Sequence, residues 1–241
     1  MTNLSVNLNK VALIRNTRNI GIPSIVKMAQ ICIDAGAKGI TVHPRPDQRH
    51  IRPGDVYDLA EIVTAVEFNI EGNPFEALYM DIVRQVKPTQ CTLVPDSPDT
   101  FTSDSGWDIL KDGDRLIPVI RELHEIGSRV SLFMDADVEQ IRLVPKTGAE
   151  RIELYTEPYA TAFRENNDLD ATFQKYVDAA KQARDLELGV NAGHDLSLDN
   201  LAKFCEIPNI LEVSIGHALT AEALEMGFEK TVKEYLKILS S

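Results

Sequence analysis

With 44% hydrophobic and 26% charged residues, the 241-residue chain has ordinary globular proportions, and its length is close to the roughly 250 residues of one (β/α)8 barrel. A net charge of −12 excludes the extended basic surface that grips nucleic-acid phosphates, so an anionic ligand has to be held in a local basic pocket. No apolar run approaches the roughly 20 residues that cross a bilayer, and the opening "MTNLSVNLNK" lacks a basic-then-apolar leader pattern, so a cytoplasmic protein without membrane contact is expected.

Taken in chain order, short apolar runs alternate with amphipathic stretches. "LSVNL" (4–8) reads as a strand with Asn7 and Asn9 on one side at its end. "GIPSIVKMAQICIDAGA" reads as a helix with Pro23 near its first turn and Gly36 just past its end. The strand "GITVH" (39–43) runs into a basic cluster of His43, Arg45, Arg49, His50 and Arg52. "EFNIEG" (67–72) carries Glu71, and "QCTLVP" (90–95) leads into a Pro-, Ser- and Asp-rich segment, 95–107. That segment is too long for a simple connection and reads as a substrate-closing lid bearing Thr102, or as an ordered loop packed by Trp107 and Phe101.

The second half continues the alternation. "RVSLFMD" (129–135) ends on Asp135, and "RIELY" (151–155) carries Glu153. In "DATFQKYVDAAKQARDLE", Phe173, Val177, Ala180 and Ala183 fall at helical spacing. "LGVNAG" (188–193) precedes His194, and "EVSIG" (212–216) ends on Gly216 with His217 next. Eight strand-like runs separated by helices imply parallel strands, and closure into a single (β/α)8 barrel domain over 1–241 is the simplest architecture. No Gly-rich dinucleotide or Walker loop follows the first strand, which weighs against an open doubly wound sheet. Cys32, Cys91 and Cys205 are odd in number and widely spaced within apolar segments, so they read as buried thiols, not as disulfides or metal ligands.

The carboxyl ends of barrel strands build the active site, so the polar residues at the run ends would ring one mouth. A lone histidine after a strand is ordinarily a packing residue, but four of the five histidines fall at equivalent positions. The fifth, His124, reads as a helix-surface residue. Glu71 and Glu153 interrupt apolar runs, where desolvation raises a carboxylate pKa and suits general acid/base work; a salt bridge to an arginine is the competing explanation. Asp135 and Asp137 read more simply as helix caps. "NAGHD" and "SIGHA" each set a glycine and a histidine after a strand, at the two loops where such barrels commonly cradle phosphate.

The motifs "VNLNKVALIRNTR", "GITVHPRPDQRHI", "NIE", "VNAGH" and "IGHA", in this order, resemble the pyridoxine 5′-phosphate synthase family of vitamin B6 biosynthesis, and the resemblance runs essentially end to end. It implies a (β/α)8 barrel with additional helices and a homo-oligomer, an octamer in the usual case, with no organic cofactor and no catalytic metal. The implied reaction condenses 3-amino-2-oxopropyl phosphate with 1-deoxy-D-xylulose 5-phosphate to pyridoxine 5′-phosphate, phosphate and water. By the same resemblance His43 and Glu71 are proton acceptors, His194 is a proton donor and Glu153 stabilises the transition state. Asn7, Gly216 and His217 would hold the amino-ketone phosphate, and Arg18, Arg45, His50 and Thr102 the pentose phosphate. Arg49 and Arg52 match no role and read as surface pairs.

Three positions depart from the commonest family pattern. Asn9 and Lys10 stand where Asp-His is usual, which concerns the grip on the pentose phosphate, and Asp195 stands where the phosphate loop usually has glycine. Lys10 is expected to curl over the mouth toward the pentose phosphate, the alternative being a plain surface lysine. A metal-dependent sugar-phosphate isomerase or lyase is the rival activity, because His43, Glu71, Asp135, Glu153 and His194 are all metal-ligating types.

Overall fold

The computed structural model describes residues 1–96 and 103–240, and within them eight parallel strands close into a barrel in chain order. They are β1 (Asn3–Asn7), β2 (Gly39–Val42), β3 (Glu67–Gly72), β4 (Gln90–Leu93), β5 (Arg129–Met134), β6 (Arg151–Tyr155), β7 (Gly189–Gly193) and β8 (Ile210–Ile215). Closure is made by β1, which pairs with β2 through Ser5 opposite Gly39 and with β8 through Asn3 opposite Glu212. All eight runs expected from the alternation are strands, with ends shifted by a residue or two.

Helices α1 (Asn9–Asn16) and α2 (Ile25–Asp34) both follow β1, α3 (Pro53–Ile62) follows β2, and α4 (Ala77–Val86) follows β3. Then come α5 (Ile109–Glu125), the short α6 (Val138–Ile141), α7 (Glu157–Glu165) and α8 (Leu169–Asp185), α9 (Leu201–Phe204), α10 (His217–Met226) and α11 (Phe228–Leu239). The barrel therefore carries helices beyond one per strand. Ser24 caps α2 by accepting the Lys27 N–H, and Pro23 stands directly before the cap, near the first turn. One local expectation is corrected. Asn9 is the first residue of α1 and not a strand residue, because the Asn7 side chain accepts the Asn9 N–H at 3.0 Å and turns the chain out of β1.

Strand alternation divides the apolar and polar residues between two places. Outward side chains such as Leu4, Ile40, Ile70, Leu132, Ile152 and Val213 are fully buried under the helices and form the main core. Inward positions carry Ser5, Thr41, Asn69, Thr92 and Asn191, equally buried but polar. They satisfy one another across strands: Ser5 Oγ lies 2.7 Å from Thr41 Oγ1, Asn69 Nδ2 donates to Thr41 Oγ1 at 3.3 Å, and Thr92 Oγ1 donates to Asn69 Oδ1 at 3.0 Å. This polar lining is the floor on which the C-terminal mouth is built.

Candidate active site

Glu71, next to last in β3, is 5% exposed and receives both of its closest hydrogen bonds from Asn7 Nδ2, at 3.4 Å to each carboxylate oxygen. His43 Nδ1 stands 3.8 Å from Glu71 Oε2, and the His43 N–H donates to Asn9 Oδ1 at 2.9 Å. The start of α1 therefore reaches both members of the pair. Burial, reinforced by the Asp96 carboxylate, pushes Glu71 up to about 8, against the Asn7 and Asn9 amides, which stabilise its charge. Burial and the neighbouring His50 and Arg45 hold His43 well below the ordinary histidine value. The two shifts run in opposite directions, favouring the neutral carboxyl and the neutral imidazole.

Glu153 is 1% exposed, and Thr92 Oγ1 lies 3.5 Å from its Oε2. Among the described residues it has no arginine or lysine partner, so the salt-bridge explanation does not hold for it. Burial and the charges of Glu71 and Glu212 raise it well above the carboxylate range. Gly193 in β7 makes room for it, since a Cβ there would stand 2.3 Å from Glu153 Oε1. His194 follows Gly193, with its ring edge-on to Phe133 and Tyr155 at centroid distances of 5.0 and 5.4 Å. Burial lowers its basicity, opposed by Asp195 and Asp96.

The cations expected to meet phosphate are not equally placed. Arg45 is buried and donates to Asp96 Oδ2 at 2.8 Å; Ser103 Oγ donates to the same oxygen at 2.7 Å. His50 is also buried, its Nδ1 accepting the Ile51 N–H at 2.9 Å, and burial with Arg45 and Lys10 takes it down to about 4. Its ring lies 6.1 Å from that of His43. Lys10 stands in the first turn of α1, and its charge works against protonation of both His50 and His194. Asn7 and Gly216 adjoin, with 3.1 Å between Asn7 Cβ and a Cβ built on Gly216, and His217 opens α10 as an exposed residue. Asp195 is exposed beside His194.

Arg18 is not brought to this group: it lies past the end of α1 with its side chain exposed and no side-chain partner among the described residues. Thr102 and Phe101, and with them the centre of the expected lid, lie outside the described residues. On the near side of that segment Trp107 is buried and donates its indole N–H to the Leu93 carbonyl at 2.9 Å, so this end is anchored. Asp137 caps α6 as expected, Arg49 pairs with Asp47 at 2.5 Å, and His124 lies on α5 beside Glu150 at 2.9 Å. Among the described residues no three His, Cys, Asp or Glu side chains are grouped to hold a metal ion.

Two residues at the site, Asp96 and Thr92, stand outside the set expected from the sequence. Asp96 follows β4, and that place after a strand is the signal that marks it. Thr92 shares the inward parity of Gln90 in β4. Nothing in the sequence announces that Gly193 is vacant for Glu153, a side chain from the neighbouring strand.

Among the described residues, two carboxyl groups without an arginine or lysine partner and two weakly basic imidazoles gather at the C-terminal rim of a closed parallel barrel, the place where enzymes of the (β/α)8 class carry their active sites. Comparison with known proteins narrows the class. The chain belongs to the family described as "Pyridoxal phosphate biosynthesis protein PdxJ", whose profile matches residues 4–241. It is 51% identical over 236 residues to "Pyridoxine 5′-phosphate synthase" of Porphyromonas gingivalis, covering 98% of both chains. It is 53% identical over 240 residues to the protein of that name in Bacteroides fragilis, covering 99% of this chain and all of the relative. Among solved structures, phosphoribosyl anthranilate isomerase from Thermotoga maritima matches with a TM-score of 0.61 at 14% identity, covering 99% of this chain and 98% of that one, a likeness of fold.

Proposed function

We propose that this chain catalyses the ring closure of pyridoxine 5′-phosphate synthase, condensing 3-amino-2-oxopropyl phosphate with 1-deoxy-D-xylulose 5-phosphate to pyridoxine 5′-phosphate, phosphate and water. The observation that carries the reading is the Glu71–His43 pair, a buried carboxyl of raised pKa 3.8 Å from a buried imidazole of lowered basicity in one mouth. Imine formation, phosphate elimination, water addition and ring closure each shift protons, and a dry site with groups of staggered basicity can serve them in turn.

In this reading His43 is the first proton acceptor. Glu71 becomes one once its own proton has passed to His43, 3.8 Å away, leaving a carboxylate that the substrate ammonium stabilises and to which it gives up its proton. His194 delivers a proton, and Glu153 stabilises the transition state. Asn7, Gly216 and the N-terminus of α10 with His217 receive the amino-ketone phosphate, for which free backbone N–H groups are suited. Arg45, His50 and Lys10 take the pentose phosphate with Thr102, Asn9 orients the sugar end, and Asp195 offers its backbone N–H. The pentose phosphate competes with Asp96 for Arg45, and Arg18 contributes by reaching over from its exposed position. The protein works in the cytoplasm as a homo-oligomer, octameric by family resemblance, and exposed Leu13, Ile14, Ile20 and Ile22 supply apolar surface for assembly.

The test is to mix the two substrates and follow inorganic phosphate together with the pyridoxine chromophore. Both should appear in step and only when both substrates are present. Phosphate without chromophore, or turnover of the pentose phosphate alone, overturns the reading.

A further inference from the structure

The turn that presents His194 is strained, and its restraint comes from another strand. His194 and Asp195 both have positive φ, +83° and +58°, a conformation that side chains other than glycine rarely adopt. Such strain persists only where surrounding contacts over-determine it. The imidazole does not restrain itself: its Nδ1 is buried without a well-aligned hydrogen bond among the described residues. That removes the usual device by which one ring nitrogen fixes the orientation of the other.

Thr156 supplies the missing restraint. It is fully buried at the N-cap position of α7, where a threonine ordinarily accepts an N–H of its own helix, yet its side chain makes no such bond. Instead its hydroxyl points across to β7, 2.7 Å from the Gly193 carbonyl and 2.5 Å from the His194 carbonyl, while its own N–H donates to the Gly193 oxygen at 2.9 Å. Tyr176 OH holds the preceding Tyr155 carbonyl at 2.6 Å, fastening the clamp from behind, and Asn200 Nδ2 holds the Asp195 carbonyl at 3.0 Å.

We infer that Thr156 is a positioning residue for His194: its hydroxyl, withdrawn from capping its own helix, locks the Gly193–His194–Asp195 turn and sets the angle at which the imidazole meets substrate. The inference rests on His194 acting in the proposed reaction, and the experiment separates the two.

Thr156→Val keeps the shape and removes the hydroxyl, Thr156→Ser restores the hydroxyl, and His194→Asn removes the ring. Steady-state turnover and long-range proton–nitrogen NMR of the His194 ring are recorded on all forms that keep the ring. Thr156→Val should lower kcat by on the order of 10²-fold, the scale of a small misplacement of a reacting group, with KM for both substrates within about twofold. Its ring spectrum should show averaged nitrogens where the unaltered protein shows one tautomer, and Thr156→Ser should recover both signals. Normal turnover in Thr156→Val beside an inactive His194→Asn overturns the inference. So does loss of turnover in both Thr156 variants with an unchanged ring spectrum, which marks a packing role. If His194→Asn keeps full turnover, the catalytic reading of His194 fails, and the ring spectra still decide whether Thr156 orients it.

Discussion

On the same strand, β3, two glutamates meet opposite fates. Glu67, at the N-terminal end, faces Arg129 with Nη2 to Oε2 at 2.7 Å, and the same guanidinium donates to Gln90 Oε1 at 2.7 Å. Burial alone would raise Glu67, but the arginine's hydrogen bond and charge bring it below the ordinary value. Glu71, at the C-terminal end, faces the Asn7 amide at 3.4 Å and an imidazole at 3.8 Å, and rises to about 8. The bottom layer continues as a polar set, with Arg151 donating to Asn191 and Asn191 to Glu212, whereas among the described residues the top layer leaves Glu71 and Glu153 without an arginine or lysine partner. One residue type on one strand is lowered where an arginine answers it and raised where burial meets only an amide and an imidazole.

The contrast breaks most visibly at the top. Glu71→Gln and His194→Asn should each lower kcat by roughly 10²-fold or more with the fold intact by circular dichroism, the size expected for removing a positioned acid or base. Near-normal turnover in either removes that residue from the mechanism.

Glu71 should also cost stability, with a definite pH sign. Because its folded pKa of about 8 lies above the unfolded carboxylate value, the folded chain retains a proton there that the unfolded chain releases, so stability falls as pH rises from the unfolded value toward 8. Glu71→Gln removes this slope. Denaturant unfolding should find the variant close to the unaltered protein at low pH and more stable by ~3 kcal/mol at high pH, at about 1.4 kcal/mol per pKa unit, reduced here for coupling to its neighbours. A gap that does not widen with pH means that Glu71 is not protonated in the folded state.

At the bottom the expectation reverses. Arg129→Met strips Glu67 and Gln90 of their partner and should destabilise by ~2 kcal/mol, less than for a fully buried pair because both charged side chains are partly exposed, while kcat per folded molecule stays unchanged. A large drop in kcat with little loss of stability would show that the two ends are not separable.

The smallest effect sharpens the comparison at the rim. Lys10→Ala should raise KM for the pentose phosphate about tenfold, or ~1.4 kcal/mol, and leave that for the amino-ketone phosphate nearly unchanged, with Lys10→His recovering part of the loss. Equal shifts for both substrates show that Lys10 acts through the general field of the mouth.

The sequence by itself determined the eight strands and which residues stand at their C-terminal ends, because period-two alternation and chain direction are local properties. His43, Glu71, Glu153 and His194 were legible for that reason, and the order of the motifs carried the family. What only the tertiary structure decided is which side chain answers which. Glu67 and Glu71 look alike in "EFNIEG", and their difference comes from Arg129, two strands further round the barrel. Asp96 meeting Arg45, Thr156 turning from its own helix to the β7 turn, and Asn9 opening α1 instead of extending β1 are likewise invisible to periodicity. Arg18 matched a motif and yet lies apart, since a motif fixes position along the chain and leaves reach undetermined. Charge compensation and hydrogen-bond reach depend on register across the closed barrel, which is set only when β1 meets β8.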